Sequence, residues 1–179
     1  MLEIRPVRST IIACLGSDRV WNDLAGGPGT AVYRVAQDER WLVGPAARQP
    51  ELLARAQASA AAAGLEALAV DVSDAWSVLT VEGARADEMW RRLSENPLPT
   101  SRPAFVQGAL ATITAKAIVE DGRIHCFTPS PLGHHLPRRV LEACRDLKAQ
   151  VQPLGDLRLG GAPRPEMAAP VRPSTGAAV

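Results

Sequence analysis

Residues 67–83, ALAVDVSDAWSVLTVEG, contain two apolar runs separated by a polar break at Ser73-Asp74-Ala75. Before the break, the residues alternate as in a strand, so that Asp71 points away from the face that carries Val70 and Val72. Asp and Ser side chains in turns accept hydrogen bonds from nearby backbone amides, and the break has that composition. The stretch therefore predicts two strands joined by a turn.

The same stretch could instead hold a pair of catalytic carboxylates, Asp71 and Asp74. A general acid and a general base need a cleft and shifted pKa values, and a sequence shows neither. The turn interpretation requires only local chemistry, so we favour it. We predict no catalytic residue, no cofactor-binding residue and no metal ligand in this chain.

The residues upstream of this stretch predict a succession of short elements. Alternation of apolar residues, capping residues and glycines indicate a strand at 9–16, a short helix at 17–26, a hairpin at 30–45 and a helix from Pro50 to Gly64.

The residues downstream predict a similar succession. They indicate a helix at 83–96, a hairpin at 103–129 that turns at residues 120–122, and a helix at 131–150. The order β–α–β–β–α thus occurs twice. We expect an α+β fold with two pseudo-repeated halves, at 1–64 and 65–152, each an antiparallel sheet backed by helices.

Residues 153–179 have a different composition from the rest of the chain, with five prolines, four glycines and no sustained periodicity. Such a segment has no core of its own. We expect an extended tail that docks on a larger partner through its separate apolar residues. The same composition is also typical of disorder, which is the alternative. The expected anchors are Leu154, Leu157, Leu159, Met167 and Val171.

The overall composition is that of a globular protein and argues against several classes of partner. The 179 residues are 46% hydrophobic and 22% charged, with a net charge of +1. That charge gives no broad field to attract nucleic acid or acidic lipid. Since no apolar stretch reaches the roughly 20 residues that cross a bilayer, we expect no membrane partner and a cytoplasmic location.

The three cysteines, Cys14, Cys126 and Cys144, are odd in number and widely spaced. This pattern argues against a disulfide framework and favours a reducing compartment. Among the tryptophans, Trp76 and Trp90 lie in apolar patterns and are predicted to be core residues. The remaining two, Trp21 and Trp41, could belong either to the core or to an interface.

Other short motifs are interpreted as structural. The glycine-rich residues 26–30 lack the Lys-Ser/Thr of a phosphate-binding loop, so we expect a loop that enters the first hairpin. On a helix, the adjacent residues His134 and His135 would point about 100° apart, and we interpret them as a surface cap. In a strand, His125 and Cys126 would face opposite sides.

The chain resembles a known family, the small (gamma) subunit of heterotetrameric sarcosine oxidase and related complexes that oxidise N-methyl amino acids. The resemblance rests on a motif before a strand that ends in a glycine, and on a Phe-x-x-Gly at the start of the next strand. The residues concerned are Asp71, Ser73, Asp74, Ala75, Trp76 and Gly83 in the first motif, and Phe105 and Gly108 in the second.

The resemblance implies a fold like that of the folate-binding T-protein (aminomethyltransferase) of glycine cleavage. It also implies a non-catalytic assembly subunit of a flavin-dependent complex that demethylates sarcosine or a similar N-methyl amine. The expected partners are larger flavoprotein subunits, and these would hold the FAD, the FMN, the NAD and the tetrahydrofolate of the complex.

Two other classes of protein remain open. A stand-alone folate-binding, one-carbon-transfer protein of the T-protein kind would need a cleft with an acidic residue for the pterin. A homodimeric structural protein would need no ligand. A related maturation factor for iron–sulfur enzymes would carry Lys-Gly-Cys-x-x-Gly-Gln, and none of the three cysteines has that context.

Overall fold

Strand β1 (Leu2–Gly16) belongs to two sheets at once in the computed structural model, which describes residues 1–160. Residues 3–7 of β1 pair with the strands of one sheet, and residues 9–15 pair with those of the other. This single strand therefore connects the two sheets.

The first sheet is antiparallel and has the order β2–β3–β1–β4. Its other strands are β2 (Ala31–Arg34), β3 (Glu39–Pro45) and β4 (Ala67–Asp71). On the outer face of this sheet lie α1 (Asp18–Trp21) and α2 (Gln49–Ala63).

The second sheet has the order β1–β5–β8–β7–β6, again antiparallel. Its other strands are β5 (Trp76–Glu82), β6 (Ala104–Leu110), β7 (Ile113–Glu120) and β8 (Arg123–Pro129). The free side of β1 pairs in parallel with β9 (Ala149–Val151) and β10 (Gly155–Asp156).

The outer face of the second sheet is covered by α3 (Ala86–Leu93) and α4 (His135–Ala143). Single helical turns connect several elements, at Ala46–Arg48, Gly64–Glu66, Ser73–Ala75, Ser130–Leu132 and Arg145–Leu147. None of the helices within residues 1–160 is long and apolar enough to cross a membrane.

Three apolar clusters hold these layers together. One lies between α2 and the first sheet, a second between the two sheets, and a third between the second sheet and the helices α3 and α4. The periodicity of α2 explains its place, because Leu52, Ala56 and Ala60 are spaced by four residues and all three are buried. The structure is thus a helix–sheet–sheet–helix sandwich.

The α+β class with antiparallel sheets and helices is confirmed, as are the first predicted hairpin, the turn of the second at residues 120–122, and helices α2 and α3. The first arm of the second hairpin was expected to be one strand from residue 103, but it consists of two strands, β6 and β7. The pseudo-repeat stays a prediction. A division of the chain after residue 64 does not separate the sheets, because β1 contributes to both.

Three element boundaries were predicted incorrectly. The helix expected at 17–26 ends at Trp21, whose indole is fully buried under the first sheet. The helix expected at 131–150 ends at Ala143, and residues 149–151 form β9 because the exposed edge of β1 accepts a strand there. Strand β1 begins seven residues earlier than expected, at Leu2 rather than at residue 9.

The segment expected to form a tail also differs. Residues 155–160, which we call the C-terminal strap, pack on this domain, with Leu157 and Leu159 buried between the sheets. These two leucines are therefore not available to a partner, whereas Leu154 is 60% exposed. The other expected anchors, Met167 and Val171, lie outside the described residues.

Candidate functional site

The polar break at residues 73–75 is where the chain passes from one sheet to the other. Strands β4 and β5 run one after the other along the same side of β1, and a single helical turn separates them. Ser73 Oγ accepts the N–H of Ile11 at 2.9 Å, and the N–H of Val72 is donated to Ile11 O at 2.9 Å. The predicted turn between two strands is confirmed.

The carboxylate of Asp71 completes this turn. It accepts hydrogen bonds from the backbone N–H and the hydroxyl of Ser73, and from Gln49 Nε2 at 2.8 Å. Partial burial would raise the pKa of Asp71, but these hydrogen bonds outweigh burial and lower it. A carboxylate that is already saturated with donors stays ionised at neutral pH and is a poor general acid. Asp74 is exposed, and its backbone oxygen accepts the hydroxyl of Ser130.

Five of the seven aromatic side chains meet between the two sheets, beside this break. Trp41 is at the centre of the group, with its ring edge-on to three neighbours at centroid distances of 4.8–6.1 Å. The group consists of Tyr33, Trp41, Trp76, Phe105 and Phe127. Trp41 is 1% exposed, so it is a core residue, whereas Trp76 is only half-buried at the rim of the group.

Lys116 closes the outer side of this aromatic group. Its Nζ lies 5.0 Å from the Trp41 ring centroid and 5.5 Å from that of Trp76, and it donates to Gln107 Oε1 at 2.6 Å. Burial lowers the pKa of Lys116, and the nearby carboxylate of Glu39 opposes that effect. The ammonium group is held by ring faces and by one amide, which is an arrangement that stabilises packing.

A separate cluster of three polar side chains is buried where the C-terminal strap packs. It consists of Thr80, Glu120 and His125. Thr80 Oγ1 and His125 Nδ1 are 2.9 Å apart, and His125 Nε2 lies 3.6 Å from Glu120 Oε2, beyond hydrogen-bond distance. The other carboxylate oxygen, Oε1, accepts the N–H of Gly160 at 2.9 Å.

Burial acts to raise the pKa of Glu120, but His125, the Gly160 amide and Arg123 together lower it. Glu120, Arg123 and His125 lie on either side of the turn between β7 and β8, whereas Thr80 and Gly160 are distant in sequence. Gly160 of the strap contacts Glu120, so these side chains form a buried polar contact between the strap and the second sheet.

The predicted opposite orientations of His125 and Cys126 are confirmed, since Cys126 packs with α3 and α4 on the other face. The pair His134 and His135 is on the surface, as expected. Their rings, however, do not point apart: the centroids are 3.9 Å from each other. The ring planes are tilted by 38°, and His134 is the N-cap residue of α4 with helical dihedral angles and no side-chain capping hydrogen bond.

All three cysteines are buried and free, as predicted from their number and spacing. Burial raises the pKa of Cys14 and of Cys126 to about 12, and it raises that of Cys144 as well. These thiols stay protonated at neutral pH and act as small apolar side chains. Within residues 1–160, no three His, Cys, Asp or Glu side chains converge as metal ligands.

The glycines of the two family-like motifs are positions of close approach. Gly83 has a φ of 129°, and a Cβ there would lie 2.6 Å from Met1 O. At Gly108, a Cβ would collide with the Asn96 side chain, whose Nδ2 donates to Gln107 O in the edge strand β6. Ser73 supports the passage between the sheets and Phe105 packs in the aromatic group, whereas the two glycines allow close approach elsewhere, at the N-terminus and at the edge strand.

An open groove of about 540 Å³ lies on the opposite surface, between α4 and β9. Its walls are partly apolar and partly cationic. Another depression, near Trp90 and Asn96, encloses only about 10 Å³.

Comparison with solved structures defines the class of this fold, a T-protein-like α+β sandwich. The chain is similar to a chain of heterotetrameric sarcosine oxidase from Corynebacterium sp. U-96 in complex with pyrrole 2-carboxylate. The TM-score is 0.69 at 18% identity, over 83% of this chain and 86% of that chain. The expected T-protein-like fold is therefore confirmed.

A second similar structure is the glycine cleavage system aminomethyltransferase T from Bartonella henselae, with a TM-score of 0.61 at 15% identity. The match covers 84% of this chain but only 47% of that one, so the chain spans about half the length of the transferase. No protein-family model matches the sequence, and no curated protein matches it.

Proposed function

We propose that this chain is a non-catalytic assembly subunit of a multi-subunit, flavin-dependent oxidoreductase that demethylates sarcosine or a similar N-methyl amine. The observation that carries the proposal is the coverage of the structural matches. The chain accounts for most of a subunit of a heterotetrameric sarcosine oxidase, but for only about half of a stand-alone aminomethyltransferase. In this proposal the larger subunits hold the FAD, the FMN and the NAD and transfer the one-carbon unit to tetrahydrofolate.

The geometry of the two family-like motifs agrees with such a role in this chain. Asp71 and Ser73 support a turn, and Trp76 and Phe105 pack in the aromatic group. These contacts are hydrogen bonds within the turn and ring packing between the sheets, which is the behaviour of scaffold residues.

Purification of the untagged protein from its native source tests the proposal. We expect the chain to co-elute with larger, yellow flavoprotein subunits that oxidise sarcosine or a related N-methyl amine. The separately expressed chain should be colourless and inactive with the same substrates. A chain that elutes alone from native extract, or one that carries its own releasable flavin, would contradict the proposal.

The alternative is a stand-alone folate-binding protein of the T-protein kind, which the similarity to aminomethyltransferase T favours. Calorimetric titration of the separate chain with tetrahydrofolate distinguishes the two. Saturable binding with one site per chain would support the alternative, and the absence of heat would support the assembly role.

A further inference from the structure

The groove between α4 and β9 combines an apolar floor with a cationic rim. Its apolar lining comes from Pro137, Leu141 and Ala149, its cationic rim comes from Arg138 and Arg145, and His134 lies beside them. Immediately beyond Ala149, the side chain of Val151 is 54% exposed, and Leu154 is 60% exposed. Val151 shares the face of β9 that carries Ala149, because side chains two residues apart in a strand point to the same side.

One wall of the groove is a strand with a free edge. β9 pairs in parallel with residues 2–4 of β1, and no strand of the described chain pairs with its other side. Gln152 donates its N–H to Ile4 O at 2.7 Å, so the N–H of Val151, one residue earlier, points to the outer edge. The edge therefore offers backbone groups to an added strand.

The charges on the rim are not balanced within the groove. The single acidic residue in the lining, Glu142, already contacts Arg138 Nε at 3.3 Å and Arg139 Nη1 at 3.8 Å. Arg145 has no ion-pair partner among residues 1–160. The rim thus keeps a cationic surplus that an acidic segment would complement.

We propose that an extended, acidic segment of a partner protein adds to the edge of β9 as a further strand. Its alternate apolar side chains contact Leu141 and Val151, and its carboxylates pair with Arg138 and Arg145. A groove between a helix and an edge strand is a common site for such strand addition, in which backbone hydrogen bonds give affinity and side-chain pockets give specificity. The inference rests on the proposed function only in that the partner would be a larger subunit.

The test uses the full chain and a short, fluorescein-labelled peptide that alternates glutamate and valine. A second peptide of the same length alternates lysine and valine. Fluorescence anisotropy should show saturable binding of the acidic peptide and none of the basic one. The affinity should fall as salt is raised above about 0.1 M, where charges are screened beyond roughly 10 Å.

Two kinds of variant separate the charge contribution from the backbone contribution. Arg138→Glu together with Arg145→Glu should weaken acidic-peptide binding about tenfold or more, since two attractive pairs become repulsive. The matched control is Arg19→Glu, an exposed arginine on α1, which should leave binding unchanged. Val151→Pro keeps an apolar side chain but removes the outward N–H, and it should also weaken binding, with an unchanged circular dichroism spectrum.

Several results would overturn the inference. They are equal binding of both peptides, binding that the double charge reversal leaves intact, or equally tight binding of a single-stranded oligonucleotide, which would indicate a general anion surface. The proposed function is tested separately. Co-elution of larger subunits from native extract without peptide binding would refute the groove alone, and peptide binding without co-elution would refute the assembly role alone.

Discussion

The hydroxyl of Ser73 holds the turn between the two sheets against β1, because its Oγ accepts the N–H of Ile11 and donates to Asp71. Ser73→Ala would leave that N–H without its partner, which costs about 1–3 kcal/mol for a buried group. We expect urea unfolding to show a loss of that size. Asp74→Asn, one residue away and exposed, should change stability by less than about 0.5 kcal/mol. Equal losses in both variants would contradict this role for Ser73.

Glu120 should make the stability of the protein depend on pH in the acidic range. Its pKa in the folded chain lies below the ordinary value of 4.5. The stability it contributes is therefore present above pH 4.5 and is lost as the pH falls through the lower folded value. Glu120→Gln should be less stable than the parent protein at pH 7, and its stability should fall less steeply below pH 4.5. Denaturant unfolding across that range measures both effects.

The control for this prediction is Glu95→Gln, which changes an exposed carboxylate outside the strap contact. It should reproduce the pH profile of the parent protein. If the two glutamine variants have the same profile, the contact between Glu120 and the Gly160 amide does not stabilise the strap.

The interaction of the residues in the break could be predicted from the sequence, but the buried polar contact could not. Asp71 and Ser73 are two residues apart, so local turn chemistry predicted their interaction. Thr80, His125 and Glu120 come from three strands, and only the pairing of β5 with β8 and of β8 with β7 brings them together. The turn at residues 120–122 places Glu120 near His125, but the positions of Thr80 and of the Gly160 amide depend on long-range packing that no local pattern specifies.

At the scale of elements, the C-terminal strap should be part of the folding unit. A chain that ends at Gln152 loses the burial of Leu157 and Leu159, each worth about 1.5–3 kcal/mol. We expect its thermal unfolding midpoint to fall well below that of the full chain. A chain that ends at Gly160 retains every contact described for the strap, and it should melt well above the chain that ends at Gln152. Identical melting of the two truncated chains would show that the strap does not stabilise the domain.

The elements that sequence predicted best have strong local signals. Helix α2 has proline near its start, glycine at its end and a buried stripe between them. The turn between β6 and β7 has no such signal, because Ala111 and Thr112 have positive φ angles of 52° and 67° without a glycine or an asparagine. We therefore predicted one long strand where the structure has two. The pairing of β6 with β7 therefore determines this turn, although its residues do not favour positive φ angles.

At the scale of the whole molecule, the sharing of β1 should make unfolding cooperative. Without β1, strands β3 and β4 would lose a paired neighbour in one sheet, and β5 would lose one in the other. We expect one calorimetric transition, with a van't Hoff enthalpy equal to the calorimetric one. Two resolved transitions would show that residues 1–64 and 65–152 unfold as separate halves. Fragments cut between residues 64 and 65 should each fail to fold alone.

The pairing of β1 with β10 also bears on how the protein is made. A ribosome completes the N-terminal strand first, yet Arg8 meets its partner Asp156 only after 148 further residues have been added. At a synthesis rate of about 5–20 residues per second, that interval lasts roughly 7–30 seconds. Throughout it, the nascent chain carries an unpaired strand edge with apolar residues on both faces. The newly made protein thus depends on chaperone protection or on rapid folding after release, and an early stop before the strap would yield an aggregation-prone product.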